Sequence, residues 1–236
     1  MKRAIILAGG KGTRLLPLTA VIPKPLVPIG NIPILEIVLL QLKHFGFTDI
    51  TISVNHLAEL ITAAFGNGSK LGLNIRYSVE DYPLGTAGPL SLIDHLEGDF
   101  LVMNGDILTT LPFQDFYETH LNSKNDITIA TYQKDLNIDL GVLEVDGRGI
   151  FQKYIEKPTY SFTVSMGIYM MNRSVLPLLK RGQRKDLPDL VTQAHDSHLK
   201  VAAYRGDYFW LDIGRRDDYE TANEIFESRK GEFLRL

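Results

Sequence analysis

The chain opens with a short apolar run that leads directly into a glycine-rich segment. Residues 4–8 read Ala-Ile-Ile-Leu-Ala, and residues 9–14 read Gly-Gly-Lys-Gly-Thr-Arg. A short apolar run bounded by glycine is typical of a buried strand that ends in a tight turn. Glycine permits positive φ and close approach of the backbone, so successive amides in such a turn can form an anion-binding nest. The opening therefore predicts a first buried strand with a phosphate-binding loop at its carboxyl end.

Strand-like and helix-like patterns alternate through the first half of the chain. The predicted strands there are residues 4–8, 50–54, 75–78 and 100–104, and the predicted helices are 34–42, 57–65 and 86–95. Further strands are predicted at 127–132, 141–145, 150–156, 164–171 and 201–204, with helices at 174–181, 187–195 and 217–229. This alternation is typical of right-handed βαβ units. It predicts the α/β class with a mixed, mostly parallel sheet.

Length and composition limit the alternatives. The 236 residues are 44% hydrophobic and 22% charged, which suits one compact domain spanning 1–236. No apolar run approaches the roughly 20 residues that a membrane span needs, so we expect a cytoplasmic protein without membrane contact. The chain has no cysteine, which excludes disulfides, thiolate metal sites and a cysteine nucleophile. Any metal must then bind to oxygen or imidazole.

Positive charge is concentrated at the start of the chain. Residues 1–35 contain five basic side chains and no acidic one, although the whole chain has a net charge of -3. The five are Lys2, Arg3, Lys11, Arg14 and Lys24. Such a local excess predicts a small polyanionic ligand. The sequence pI near 6.1 and the scattered later charges argue against nucleic acid as a partner.

The glycine segment does not match the two most common phosphate-loop patterns. Leu15 stands at the third glycine position of a dinucleotide fingerprint, and no acidic residue follows about 20 residues later. A nicotinamide oxidoreductase is therefore disfavoured. Gly12 follows Lys11 where a Walker A loop has Ser or Thr.

Taken together, the motifs resemble the signature of the sugar-phosphate nucleotidylyltransferases. The resemblance begins with residues 7–15 and continues with Pro-Lys-Pro-Leu at residues 23–26. Residues 83–90, Pro-Leu-Gly-Thr-Ala-Gly-Pro-Leu, resemble the base-recognition turn of the mannose-1-phosphate guanylyltransferase branch. Segments 104–106, 156–158, 167–169 and 210–214 then follow in the family's order. At residues 165–167, Ser-Met-Gly replaces the Asn-Ala-Gly common in the guanylyl and thymidylyl branches and resembles the adenylyltransferases instead.

The resemblance implies a three-layer, Rossmann-like fold and a reaction. NTP and a sugar 1-phosphate would give an NDP-sugar and pyrophosphate in the presence of Mg²⁺, with GTP and a mannose- or heptose-type 1-phosphate favoured. Residues 1–110 would form a nucleotide-binding half and residues 111–236 a sugar-phosphate-binding half, without a C-terminal β-helix domain. A homodimer is compatible with the resemblance.

The resemblance also assigns roles to individual residues. Catalytic roles fall to Arg14, Lys24, Asp106 and Asp212, and metal binding to Asp106 and Asp212. The implied nucleotide-binding residues are Leu7, Ala8, Gly9, Gly10, Gly12, Thr13, Arg14, Lys24, Gly85, Thr86 and Asp106. The implied sugar-phosphate-binding residues are Asn104, Gly141, Glu156, Lys157, Ser165, Gly167 and Asp212.

Two alternatives stay open at this point. The substrates could be a different base and acceptor, such as glucose 1-phosphate, N-acetylmuramate 1-phosphate or phosphocholine with UTP, CTP, dTTP or ATP. The chain could instead be a catalytically silent nucleotide-sugar sensor on the same fold. A sensor has no need of a paired carboxylate site, which Asp106 and Asp212 would form.

Overall fold

The computed structural model describes residues 1–10 and 12–234. Its central feature is one seven-stranded sheet, in the order β12-β8-β11-β6-β1-β4-β5. These strands are β1 Lys2–Leu7, β4 Phe47–Val54, β5 Asn74–Val79, β6 Asp99–Asn104, β8 Ile127–Asn137, β11 Thr159–Asn172 and β12 Val201–Tyr204. Of the seven, only β11 runs antiparallel to its neighbours. The prediction of a mixed, mostly parallel sheet is confirmed.

Three two-stranded ladders accompany the main sheet within the described part of the chain. They are β2 Pro28–Ile29 with β3 Ile32–Pro33, β7 Ile107–Thr109 with β13 Trp210–Asp212, and β9 Val142–Val145 with β10 Phe151–Ile155. The β7–β13 ladder joins residues about a hundred positions apart. As shown below, it places one of the predicted carboxylates.

Helices cover both faces of the sheet and make a three-layer arrangement. The helices are α1 Ile34–His44, α2 Ala58–Phe65, α3 Phe113–Ser123, α4 Leu187–Asp196 and α5 Arg216–Leu234. Apolar residues of α1, α2 and α3 pack with Ala4 and Ile6 on one face, and those of α4 pack with Ile5 on the other. Neighbouring residues of a strand point to opposite faces, so a run that is apolar throughout can serve two cores. Apolar residues of α5, among them Phe226, belong to a third buried cluster.

Two of the helix predictions need correction, and one helix was not predicted. Residues 86–95 form only a 3₁₀ turn at Gly88–Leu92, and residues 174–181 form only a 3₁₀ turn at Arg173–Leu178. Each turn contains a proline, which lacks the N–H that an α-helix interior requires. Helix α3 was not predicted, although Phe113, Phe116 and His120 are its buried residues at helical spacing.

Candidate active site

The glycine-rich segment and the Asn104–Asp106 segment lie side by side at the carboxyl edge of the sheet. Strands β1 and β6 are parallel, and Leu7 is in register with Asn104. The Gly105 N–H continues the pairing and donates to the Leu7 carbonyl at 2.9 Å. Parallel strands of an open α/β sheet place their ligands at this edge. The register therefore brings two of the sequence motifs to one place.

The predicted metal carboxylates, Asp106 and Asp212, come together although 105 intervening residues separate them. Asp212 ends β13, where it pairs with Ile107 of β7, and the Ile213 N–H donates to the Asp106 carbonyl at 3.1 Å. The side chain of Asp212 is 43% exposed and that of Asp106 is 20% exposed. Backbone pairing thus fixes both carboxylates beside the loop edge.

The ammonium group of Lys24 lies between these two carboxylates. Its Nζ donates to Asp106 Oδ2 and lies 4.0 Å from Asp212 Oδ1. Lys24 begins a 3₁₀ turn, Lys24–Leu26, and is only 8% exposed as a residue. A buried cation is stable only when it is paired, and here two anions pair with it. Three of the four predicted catalytic residues, Lys24, Asp106 and Asp212, therefore form a single charged cluster.

The electrostatics of this cluster favour a further cation. Burial, and then the neighbouring Asp106 charge, raise the pKa of Asp212, while Lys24 and Arg14 oppose the shift. The second oxygen of Asp106, Oδ1, is buried without a hydrogen-bond partner. A buried acceptor without a donor is costly. The pair therefore fits Mg²⁺, which takes one or two carboxylates and completes its octahedron with substrate oxygens and waters.

Arg14 and its neighbours lie next to Asp212. Gly12, with φ of 64°, precedes the 3₁₀ turn Thr13–Leu15, which carries the exposed Arg14. A Cβ built on Gly214 would lie 3.5 Å from both the Arg14 guanidinium and Asp212 Oδ2. Arg14 is thus placed beside the carboxylate end of the cluster.

A cleft of about 320 Å³ adjoins Asp106 and includes glycines of both glycine-containing segments in its lining. Its lining residues are Leu7, Gly9, Gly10, Glu80, Pro83, Gly85, Thr86, Pro89, Asn104 and Asp106. A Cβ built on Gly10 would meet no atom within 4 Å, so that backbone is open to a ligand. Ala8 lies beneath the cleft, buried, with its N–H donating to the Ser53 carbonyl at 2.8 Å.

Residues that sequence reasoning did not single out hold the Gly85–Thr86 turn in place. Gly85 has φ of 78°, and the Thr86 N–H donates to Asp186 Oδ1 at 3.1 Å. The Thr86 hydroxyl accepts from the Leu187 N–H at 2.7 Å. The Lys185 carbonyl accepts the N–H groups of residues 87 and 88. The one available signal was Asp186 before Leu187-Pro188, which reads as an ordinary helix N-cap.

Glu80 presents a buried carboxylate at the cleft wall. Its Oε1 accepts from the Ser53 hydroxyl at 3.1 Å, and its Oε2 accepts from the Leu84 N–H at 2.9 Å. A Cβ on Gly9 would lie 2.9 Å from Oε1, so the glycine loop packs directly on this carboxylate. A carboxylate has about four acceptor positions, and two of them are used here.

The predicted sugar-side residues divide into two groups. Gly167, with φ of 72°, lies against the Asn104 amide, and its N–H donates to the Ser165 hydroxyl at 3.3 Å. An irregularity between Ser165 and Tyr169 in β11 creates this arrangement beside β6. Gly141, Glu156 and Lys157 instead lie at the ends of the β9–β10 hairpin, outside the cleft lining described above. Their sugar-side role stays a prediction.

The prediction that the five basic residues of the first 35 act on one ligand is wrong in part. Lys2 and Arg3 lie at the beginning of β1, at the end opposite the cleft. The Arg3 Nε donates to Asp49 at 3.0 Å, and the Lys2 ammonium lies over the rings of Phe47 and Tyr117. A six-residue strand separates its ends by roughly 17–20 Å, so these charges act elsewhere. Lys11 lies outside the described residues.

Size alone does not locate the site. A larger groove of about 510 Å³ lies beside β5 and includes three arginines among its lining residues. They are Arg3, Arg76 and Arg181, and each is already paired with Asp49 or Asp94. The smaller cleft is the one that joins an open glycine backbone to a charged cluster.

Comparison with known proteins identifies the family of the chain. A family model described as nucleotidyl transferase matches residues 3–229. The chain belongs to the nucleotidyl transferase family. Within residues 1–10 and 12–234, no group of three or more metal-ligating side chains comes together, and no helix is both long and apolar enough to span a membrane.

Similar proteins in this family act on different bases and sugars, by their names. A UTP–glucose-1-phosphate uridylyltransferase of Synechocystis is 35% identical over 93% of this chain and 62% of its own length. A mannose-1-phosphate guanyltransferase of Schizosaccharomyces pombe is 34% identical over 96% of this chain and 64% of its own length. A third relative, from Pichia angusta and also named mannose-1-phosphate guanyltransferase, is 33% identical over 92% of this chain. The chain spans 62–64% of these relatives.

Solved structures share the architecture. A Bacillus anthracis protein assigned as a glucose-1-phosphate thymidylyltransferase, in complex with sucrose, superposes with a TM-score of 0.77, 25% identity and 95% coverage of both chains. HddC from Yersinia pseudotuberculosis gives a TM-score of 0.73 at 26% identity, covering 96% of this chain and all of HddC. These likenesses support the Rossmann-like nucleotidyltransferase fold.

Proposed function

We propose that this chain transfers a nucleotidyl group from an NTP to a sugar 1-phosphate. The observation that carries the proposal is the cluster of Lys24, Asp106 and Asp212 beside an open glycine backbone. An oxygen of the sugar phosphate attacks the α-phosphorus, the bond from that phosphorus to the bridging oxygen breaks, and pyrophosphate leaves with the bond's electron pair. No general base is needed, because a phosphate monoester is already ionised near pH 7.

The chain's own residues supply binding and charge neutralisation for this displacement. Backbone amides of Gly9, Gly10 and Gly12 bind phosphate oxygens, and Arg14 and Lys24 stabilise the negative charge that spreads over the transferring group. Asp106 and Asp212 would hold Mg²⁺, which when bound polarises the phosphoryl oxygens and orients the leaving group. Such charge neutralisation is the main task in phosphoryl-type transfer.

Glu80 supports GTP as the nucleotide. Guanine presents two adjacent donors, N1–H and the N2 amino group, whereas uracil and thymine present one N–H between two carbonyl groups. A carboxylate only accepts, so its two open acceptor positions favour guanine. The guanylyl names among similar proteins point the same way, and those names favour mannose 1-phosphate as the acceptor. A heptose-type 1-phosphate is the other acceptor that we expect. Because another relative is named a uridylyltransferase, the test also includes the other combinations of base and acceptor.

The decisive measurement is pyrophosphate release with Mg²⁺ across the five common NTPs and a panel of sugar 1-phosphates plus phosphocholine. We expect release with GTP and a mannose- or heptose-type 1-phosphate, and at least a hundredfold less from Asp106→Asn, since that residue carries the metal-binding charge. Release with a different NTP and acceptor would show that the proposed substrates are wrong and would identify the right ones. No release from any pair, with nucleotide binding intact by calorimetry, would favour a silent nucleotide-sugar sensor.

The role of Glu80 has a separate test. Glu80→Gln keeps the size and one acceptor but introduces an amide donor opposite the guanine donors. We expect kcat/KM for GTP to fall by at least tenfold while kcat/KM for UTP does not fall. Equal losses for both nucleotides would assign Glu80 to support of the Leu84 turn only.

A further inference from the structure

A second concentration of positive charge lies just before α4. Residues 180–185, which we call the basic loop, read Lys-Arg-Gly-Gln-Arg-Lys, and no acidic residue occurs within residues 173–185. The loop connects the 3₁₀ turn Arg173–Leu178 to α4. In a chain with a net charge of -3, four cations among six residues create a local positive field. The proposed transfer reaction makes no use of these cations.

A cleft of about 350 Å³, which we call the loop cleft, lies against the basic loop. Its polar and charged lining residues are Lys180, Gln183, Arg184, Lys185, Asp189 and Gln193. Three positive charges thus face one negative charge. The loop cleft shares no lining residue with the cleft beside Asp106, so the two are separate sites. Its volume suits a small molecule.

The cations of the loop cleft are poorly neutralised by the protein. Lys180 makes no ion pair within residues 1–10 and 12–234, and the Lys185 ammonium donates to the amide oxygen of Gln193 rather than to a carboxylate. Arg184 lies 3.8 Å from Asp186, and both side chains are exposed, so that contact contributes little. By contrast, the three arginines of the groove beside β5 pair with carboxylates at 3.0 Å or less. The loop cleft therefore offers charge that an anion can use.

The chemistry of these side chains favours a phosphoryl group. A guanidinium presents paired N–H donors that match two phosphate oxygens, and an ammonium group adds a compact point charge. Arg184 together with Lys180 and Lys185 supplies both kinds of donor at one cleft. A small phosphate-bearing anion is the ligand that fits this set.

The basic loop is hydrogen-bonded to the turn that forms a wall of the proposed nucleotide cleft. The Lys185 N–H donates to the Leu84 carbonyl at 2.9 Å, and the Lys185 carbonyl accepts from the N–H groups of residues 87–88 at 2.9 and 3.0 Å. At the other end of the loop, the Gly182 carbonyl accepts from the Tyr82 hydroxyl at 2.8 Å. A displacement of the loop must therefore move this turn or break these hydrogen bonds.

We propose that the loop cleft binds a small phosphate-bearing anion and that its occupant changes the affinity of the neighbouring cleft for nucleotide. The anion acts by favouring one position of the loop, and with it one position of the turn. A ligand shifts such an equilibrium by its difference in affinity for the two positions, and the coupling between two sites is reciprocal. Binding at the loop cleft is independent of the proposed function, whereas its effect on nucleotide affinity rests on that function.

Isothermal titration calorimetry tests the binding without turnover, at about 0.15 M salt so that distant surface charges are screened. The probes are inorganic phosphate and glycerol 3-phosphate. We expect a binding event that the double substitution Lys180→Gln, Arg184→Gln weakens at least tenfold. Lys24→Met should leave this event in place, because Lys24 lies beside Asp106. Tighter binding of glycerol 3-phosphate would identify a phosphate ester as the ligand, and tighter binding of inorganic phosphate would identify the free ion.

The matched control removes the same charge elsewhere. Lys43→Gln with Lys70→Gln, at two exposed positions, should keep the binding event. Equal titrations of the wild type and the Lys180→Gln, Arg184→Gln variant would overturn the proposal, and so would equal weakening in the two double variants. Loss of this site alone would leave the proposed transfer reaction untouched, because pyrophosphate release is measured separately.

The coupling has its own measurement. The NTP with the highest affinity for the chain is titrated without Mg²⁺, in the presence and absence of the tighter probe, into the wild type and the Lys180→Gln, Arg184→Gln variant. Competition at the nucleotide cleft is common to both proteins, so a difference between them isolates the effect of the loop cleft. We expect the probe to change nucleotide affinity about fivefold more in the wild type. The same change in both proteins would show that the loop cleft does not act on the turn.

Discussion

At the residue scale, Asp106 and Asp212 hold the ammonium group of Lys24 in a fixed position. Lys24 is nearly buried, and its two carboxylate partners would leave it with little reorganisation to perform when phosphate arrives. Preorganised charge acts most strongly where charge develops in the transition state. Its removal should therefore affect turnover more than binding.

Replacement Lys24→Met should lower kcat by about 10²–10³-fold and change the KM for the nucleotide only a few-fold. Methionine keeps the length of the side chain and removes the charge. Steady-state kinetics with saturating sugar phosphate would measure this difference. Lys43→Met, at an exposed position on α1, is the control and should leave both constants unchanged. An effect confined to KM would assign Lys24 to ground-state binding.

His120 lies outside the cleft lining and gives stability a pH dependence. It is fully buried, accepts at Nδ1 from the Thr128 hydroxyl at 2.7 Å and donates from Nε2 to Asp99 at 3.1 Å. Burial lowers its pKa below 6.5, although Asp99 and Asp126 oppose the shift. The unfolded chain therefore binds a proton at a higher pH than the folded chain does. The contribution of His120 to stability is fully present above its pKa in the unfolded chain and is lost as the pH drops below about 6.5.

Urea unfolding should thus show a lower free energy of unfolding at pH 5.5 than at pH 7.5, and His120 should contribute to that decrease. His120→Gln keeps a donor toward Asp99 and removes the titration. The variant should be less stable at pH 7.5 and lose less on acidification than the wild type. Identical losses in both proteins would show that other groups carry the acid sensitivity.

At the element scale, the turn at Gly85 depends on an element from the other end of the chain. A Cβ built on Gly85 would lie 2.5 Å from Asp186 Oδ1 and 2.6 Å from the Lys185 carbonyl, and its φ of 78° disfavours any side chain. The residues before α4 therefore shape a wall of the proposed nucleotide cleft. No local sequence pattern predicts this contact.

Replacement Gly85→Ala should lower the free energy of unfolding by about 1–3 kcal/mol and raise the KM for the nucleotide about tenfold, because the turn must move away from α4. Chemical denaturation and steady-state kinetics would measure the two effects. Gly147→Ala is the matched control, since a Cβ there meets no atom within 4 Å. Comparable losses in both variants would contradict the close contact.

At the scale of the whole molecule, one sheet and one large core join the two predicted halves. Strand β6 of the first half pairs with β11 of the second half over residues 99–103 and 168–172. The largest core cluster contains Ala4 and Ile6 from one half and Ile168 and Met170 from the other. Neither half can unfold without exposing the core of the other.

The chain should therefore unfold in a single transition, with the same midpoint by far-UV circular dichroism and by fluorescence of Trp210, its one tryptophan. Trp210 reports on the join itself, because it pairs with Thr109 of the first half in the β7–β13 ladder. Two separate midpoints would show that residues 1–110 and 111–236 are independent domains.

The sequence by itself determined the parts of this protein that depend on neighbours along the chain. Buried strands followed by glycine appear at the predicted places because apolar runs and turn residues act locally. The resemblance singled out Lys24 and Asp106, and the structure places them together at the carboxyl edge. It failed where proline favoured 3₁₀ turns over α-helices, as at Pro177, and where a buried face was sparse, as in α3.

Only the tertiary structure decided which distant groups meet. The β7–β13 ladder brings Asp212 to Asp106, Asp186 holds the turn at Thr86, and Lys2 and Arg3 lie at the far end of β1. These contacts join segments that share no local pattern, and long-range pairing is set by packing of the whole core rather than by propensity. Candidate site residues could thus be named from the sequence motifs, whereas which of them lie together depended on the fold.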